Sequence, residues 1–207
     1  MRAFAAELLS GSELYRRVIL DRMAHARESV WIATANVKAM LIEQRGRWQP
    51  VVDLFATLAA RGVALRLLHA ELPSRPFRAA FDQHSRLTDG ALALKICPRV
   101  HFKAVIVDGA WIYLGSANLT GAGLGAKADD RRNFELGFAT EDFATIDRAS
   151  ALFQSVWSGA ECGPCKLRHV CPDPLGPSTD PRPRGGRRSP PRAIRLGRAS
   201  KIALPGR

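Results

Sequence analysis

Residues 100–121 read VHFKAVIVDGAWIYLGSANLTG. They contain an imidazole (His101), an ammonium (Lys103), a hydroxyl (Ser116) and a carboxamide (Asn118), spaced so that strand geometry can gather them. Asp108-Gly109 between two β-rich runs signals a two-residue type I′ hairpin. With those two residues as the loop, Val107 faces Ala110 and His101 lies across from Ser116. Lys103 follows two residues along on the same face, and Asn118 falls diagonal to His101. The rest of the hairpin (Val105, Ile106, Val107, Trp111, Ile112, Leu114) is apolar. A slip of one residue would scatter the polar set over both faces. A cation, an imidazole and two hydrogen-bonding groups aimed at one point suit a tetrahedral oxyanion such as phosphate. The alternative is an ordinary solvated His and Lys at a strand end. Burying such groups unpaired would cost about 1–3 kcal/mol each.

The elements that must position this hairpin alternate in type. Ser12 is a natural N-cap for a helix over 12–28, with Leu14, Val18 and Met23 on its apolar face. Residues 30–37 (VWIATANV) read as a buried strand. Pro50 opens a helix that Gly62 stops. A strand over 63–69, a helix over 77–85 and a strand over 92–97 follow. Three strand-like runs come next, over 100–107, 111–117 and 133–139, and Asp142 caps a last helix through Trp157. In the third run Asn133 and Glu135 share one face, while Phe134, Leu136 and Phe138 fill the other. Strands alternating with helices, then a direct hairpin, predict an α/β domain with a mixed β-sheet sandwiched by helices.

The chain has 207 residues, 46% hydrophobic and 24% charged, enough for a single domain with a real core. No apolar run reaches the ~20 residues of a bilayer span, and the first twenty residues lack a secretory pattern, so a cytoplasmic protein is expected. The net charge is +12. Residues 1–172 hold 22 Lys/Arg against 17 Asp/Glu, and residues 173–207 hold 9 against 2. That Pro-, Gly- and Arg-rich end has no apolar period and is expected to be a disordered tail. Its functional reading is a basic arm for nucleic acid or an anionic surface. The division expected is therefore a folded domain over 1–160, a Cys-rich segment over 161–172 and the tail over 173–207.

His101-x-Lys103, four residues, Asp108, six residues, then Gly115-Ser116-x-Asn118 resembles the HxKx4Dx6GSxN signature of the phospholipase D superfamily, matched at every position. The likeness in element order covers roughly residues 12–158. It implies a phospholipase D-like fold and a phosphodiesterase working by double displacement. His101 would attack phosphorus and form a covalent phosphohistidine, and a second histidine would protonate the leaving oxygen and then activate water. Lys103 and Asn118 would bind the non-bridging oxygens, Ser116 would orient at the site, and Asp108, at the turn, would be structural. The family also carries a downstream carboxylate that braces the histidine, for which Glu135 is the candidate. The signature occurs once here, and neither His25, His69 nor His84 leads into a second copy. The resemblance therefore implies a two-fold homodimer with a composite site, needing no metal for catalysis.

Nucleic acid is the expected substrate, given the Arg-rich end. The alternatives are a phospholipase D converting phosphatidylcholine to phosphatidate, with anionic phospholipid as partner, and a binding module without turnover. Cys162, Cys165 and Cys171 form a CxxCx5C cluster. Outside an oxidising compartment such a cluster suggests a structural metal before a disulfide. Zinc would take His169 as fourth ligand, a [4Fe–4S] cluster would take Cys97, and the alternative is four free thiols.

Overall fold

The computed structural model describes residues 3–44 and 46–175, so most of the expected tail, residues 176–207, lies outside the described residues. In chain order come β1 (Glu7–Ser10), α1 (Ser12–Leu14), β2 (Ser29–Thr34), β3 (Leu41–Gln44), β4 (Arg47–Pro50), α2 (Val51–Ala60), β5 (Ala64–His69), α3 (Arg75–Phe81) and β6 (Leu92–Ile96). Then follow β7 (Lys103–Val107), β8 (Trp111–Gly115), β9 (Leu136–Thr140) and α4 (Phe143–Ser158). Seven strands form one mixed sheet in the order β1-β9-β8-β7-β2-β5-β6, and β3–β4 is a separate hairpin. The apolar runs of β2, β5 and β6 pair in parallel, and everything from β7 outward to β1 is antiparallel.

Both faces of this sheet are covered, which is why its central strands are apolar throughout. On one face Val105, Val107, Trp111 and Tyr113 join Ile32 and Leu67 in the main core. Leu14, Val18 and Ile19, with Leu54, Phe55 and Phe77, close it from the helical side. On the other face Ala33, Leu68 and Ala104 receive Phe153 of α4, and Ile106 and Ile112 receive its Ile146. The α4 helix starts where the Asp142 carboxylate accepts from the Thr145 amide (2.9 Å), and stops at Gly159, whose φ is 80°. Pro50 precedes α2 without a side-chain cap, and Gly62, one residue past Arg61, follows it at φ 84°.

The expected helix over 12–28 is shorter and of mixed pitch. After α1 it widens to i→i+5 turns over Tyr15–Arg22 and tightens to a 3₁₀ turn at Met23–His25. The hairpin register also differs from the sequence reading. Asp108 (φ 54°) and Gly109 (φ 60°) take the positive-φ turn, and the Ala110 amide donates to the Val107 carbonyl at 3.0 Å. Ala110, however, stays outside the ladder, and the closing pair is Val107–Trp111. Lys103 consequently faces Gly115, and His101 and Ser116 both lie beyond the ladder. Tyr113 runs under this end of the sheet: a Cβ at Gly115 or Gly137 would overlap its ring. Those two positions must be glycine for the strands to pass over it. The β9 expectation needs a further correction. Residues 133–135 are irregular, and Phe134 (107% exposed) and Leu136 (55%) face solvent rather than the core.

Candidate active site

Lys103, Thr34 and Gly115 mark one end of the sheet, where β7 begins and β2 and β8 finish. Continuing the β2–β7 register past Ala33–Ala104 brings Thr34 level with Lys103. Lys103 is buried (8% exposed), and its Nζ donates to the His101 carbonyl at 2.5 Å. Burial pushes its pKa below the ordinary lysine value, against the opposing pull of the Glu135 charge. An ammonium already stripped of water and held in place interacts with an incoming anion more strongly than a solvated one.

Asn118 is held by a device that the local sequence does not display. Its Oδ1 accepts three hydrogen bonds at 3.1 Å each, from the Thr34 hydroxyl and the amides of Ala35 and Asn36. Thr34, itself 1% exposed, also accepts from the Leu119 amide at 3.1 Å. Because a carboxamide oxygen and nitrogen are opposed, fixing Oδ1 toward β2 directs Nδ2 away from it. Among the described residues Nδ2 has no hydrogen-bond partner. The site residue missed from sequence is thus Thr34, which reads there as one more member of an apolar strand.

Ser116 and Glu135 form a pair: the Ser116 hydroxyl donates to the Glu135 carboxylate, whose other oxygen accepts from Asn133 Nδ2 at 3.1 Å. Ser116 Oγ also accepts from the Leu136 amide at 3.1 Å, which locks it to the start of β9. Glu135 therefore engages Ser116 and Asn133 in place of His101. His101 is exposed, and its ring has no hydrogen-bond partner among the described residues. Asp108 stands at the other end of the hairpin, five residues from Lys103 or about 17 Å along a strand. There its carboxylate accepts from the amides of Arg27 (3.0 Å), Glu28 (2.8 Å) and Ser29 (2.9 Å). Burial would raise its pKa, but these donors outweigh that and hold it below the ordinary carboxylate value.

The other histidines are engaged elsewhere. His84 Nε2 meets Asp53 at 2.8 Å, and His25 Nδ1 meets the Leu20 carbonyl at 2.9 Å. His69, at the end of β5, is 1% exposed and bonded through Nδ1 to the Glu71 carbonyl at 2.7 Å. His169 is exposed, in the turns after α4. Two exposed lysines flank the chain leaving Asn118. The Lys38 amide donates to the Leu119 carbonyl (3.0 Å), and the Lys127 amide to the Gly121 carbonyl (3.1 Å). The assembled groups are a free imidazole, a desolvated ammonium and an outward carboxamide nitrogen, with a carboxylate–hydroxyl pair beside them. Such a set can bind and attack a tetrahedral phosphoryl centre. No helix among the described residues is long and apolar enough to cross a membrane.

Three comparisons bear on this geometry. Residues 19–157 match the family model described as cardiolipin synthase, PLD-like domain. In solved structures, Nuc of Salmonella typhimurium, a phospholipase D family member, is 17% identical with a TM-score of 0.54. The match covers 74% of this chain and 95% of that one. TrmBL2, an archaeal chromatin protein with a novel mode of DNA binding, is 14% identical with a TM-score of 0.51, over 74% of this chain and 52% of that one. NucT of Helicobacter pylori is 19% identical with a TM-score of 0.49, again over 74% and 95%. No curated protein sequence shows a significant match.

Proposed function

The chain belongs to the phospholipase D-like domain family, and from that premise we propose that it is a metal-independent phosphodiesterase acting on nucleic acid through His101. The observation that carries the reading is the arrangement at one sheet end of Lys103, Asn118 and an unencumbered, solvent-facing His101. Lys103 Nζ and Asn118 Nδ2 bind the non-bridging phosphate oxygens, whose charge grows in the transition state. A His101 ring nitrogen attacks phosphorus, the bond to the leaving oxygen breaks, and that oxygen takes a proton from a second imidazole. Water, giving its proton back to that imidazole, then displaces His101 and restores it. Glu135 and Ser116 keep a negative charge close to Lys103 and hold the β8–β9 corner.

We assign the second imidazole to His101 of a second copy of the chain, since His25, His69 and His84 are each tied to other partners and His169 lies in the turns after α4. Exposed Phe134 and Leu136, which adjoin Glu135, supply apolar surface for such a two-fold contact. Nucleic acid is favoured as substrate because exposed Lys38 and Lys127 are tied through their backbone to the segment that follows Asn118 and the chain end is strongly basic. Nuc and TrmBL2 share the fold alone.

The deciding experiment incubates the protein in EDTA with plasmid and single-stranded DNA, and separately with phosphatidylcholine vesicles. DNA cleavage that disappears in His101→Ala, with phosphate trapped on His101 by acid quench and mass spectrometry, supports the proposal. Choline release without DNA cleavage would make the chain a lipase. DNA binding without products would make it a binding module.

A further inference from the structure

The chain has four cysteines, and all four line one cavity of about 370 Å³ between the end of β6 and the turns that follow α4. Cys97 arrives from the strand side, where the backbone turns as the Val100 amide donates to the Cys97 carbonyl at 2.9 Å. Cys162, Cys165 and Cys171 arrive from a segment built of turns alone, more than sixty residues later. His169 does not line the cavity. This disposition separates the two ligand sets that the sequence left open, because it includes Cys97 and leaves the histidine out.

We propose that Cys97, Cys162, Cys165 and Cys171 hold a [4Fe–4S] cluster that staples the end of the domain to β6. A single zinc ion needs its ligands to converge on one point about 2.3 Å from each sulfur. Among the described residues no group of three or more His, Cys, Asp or Glu is placed to hold one ion as the thiols stand, so the choice of a cubane rests on the all-thiolate lining around one volume. A cubane requires the opposite arrangement: four thiolates spread around a volume, each bound to a different iron. On assembly from two ferrous ions, two ferric ions and four sulfides the four thiols release their protons, and the product is net anionic. Lys95, Arg99 and Arg168 line the same cavity against Glu161 and Asp173, which leaves it one net positive charge to set beside that product.

The need for a staple is visible in the packing. Residues 159–175 have no helix or strand, and their anchorage to one another includes Arg168, which donates to the carbonyls of Cys162 (3.1 Å) and Leu175 (2.6 Å). So short a segment buries too little apolar surface to define its own conformation, and metal binding supplies folding free energy in such cases. Val100 and Phe102, on either side of His101, also line the cavity, but iron and sulfide content is read without assaying cleavage, so the inference stands or falls separately from the phosphodiesterase reading.

The test is metal analysis of the full chain purified without oxygen. A brown protein with about four iron and four acid-labile sulfide per chain is the expected result. Stoichiometric zinc without iron, or a colourless protein with four titratable thiols after iron–sulfide reconstitution, would overturn it. Cys97→Ser and Cys165→Ser should each lower bound iron several-fold, whereas His169→Ala should leave it unchanged. The opposite pattern would refute the ligand set. Should a cysteine variant fail to fold, the wild-type iron and sulfide content still decides the question.

Discussion

Replacing Asn118 with aspartate separates its two ends. Asn118→Asp keeps an acceptor toward Thr34, Ala35 and Asn36, and adds charge to it, as Asp108 already does for three amides. Stability should therefore match or slightly exceed that of the parent chain. The outward end changes from an N–H donor to an oxygen, so the bond to a phosphate oxygen is lost and repulsion replaces it. Loss of one such donor costs about 10²–10³ in kcat, or roughly 3–4 kcal/mol of transition-state stabilisation, and the added charge places Asn118→Asp at the upper end. Asn118→Ala behaves differently. It strands two backbone amides, while the Thr34 hydroxyl keeps the Asn36 carbonyl as acceptor at 3.0 Å; at about 1–3 kcal/mol for each group left unpaired, it should lower the denaturant midpoint markedly. The assay pairs urea unfolding with kcat/KM for DNA cleavage across the three proteins. An Asn118→Asp protein with parental kcat/KM, or an Asn118→Ala protein with the parental midpoint, would refute the reasoning that one end pins and the other binds.

Asp108 makes a stability prediction with a definite sign. Its carboxyl lies below its ordinary value in the fold, so its stabilisation is present near neutrality and is lost as pH falls below about 4. Asp108→Asn, which tolerates the same positive φ, should lose about 1–3 kcal/mol at pH 7 and converge with the parent in acid; a constant offset across pH would contradict this. Glu135→Gln removes the charge that supports a protonated Lys103. The alkaline limb of kcat/KM should then move to lower pH, and an unmoved or raised limb would count against the coupling. Lys38→Ala and Lys127→Ala should each reduce the slope of log affinity for DNA against log salt by about 1, without sequence preference. Fluorescence anisotropy at several salt concentrations reads this directly, and an unchanged slope would remove those residues from the binding path.

The element order was legible because its signals are local: Asp142 before α4, Pro50 and Gly62 around α2, and unbroken apolar runs in the parallel strands. The polar set at residues 101–118 was legible too, but the route by which it assembles was not. Strand register was expected to carry Ser116 and Asn118 to His101, and a single unpaired residue, Ala110, cancels that route. The gathering is done by hydrogen bonds to β2 and β9, residues about 80 and 20 positions away, which no short window contains. Phe134 and Leu136 misled because hydrophobicity was read as burial, whereas these two are surface-exposed in the single chain. The mixed pitch after α1 had no sequence signal at all. Cys97 could be associated with the later cysteines by chemistry alone; only the adjacency of β6 to the end of α4 gives it a place.

The position of β7 between β2 and β8 has a consequence for vectorial synthesis. The parallel trio β2, β5 and β6 leaves the ribosome before β7, with one flank of β2 awaiting a strand that begins only at Lys103. Until that hairpin emerges, a row of bare peptide groups on an apolar strand is open to any passing nascent chain. Truncated products ending before residue 103 should accordingly be the sticky ones, and translation past the signature closes the seam at the same moment that it delivers the reactive groups.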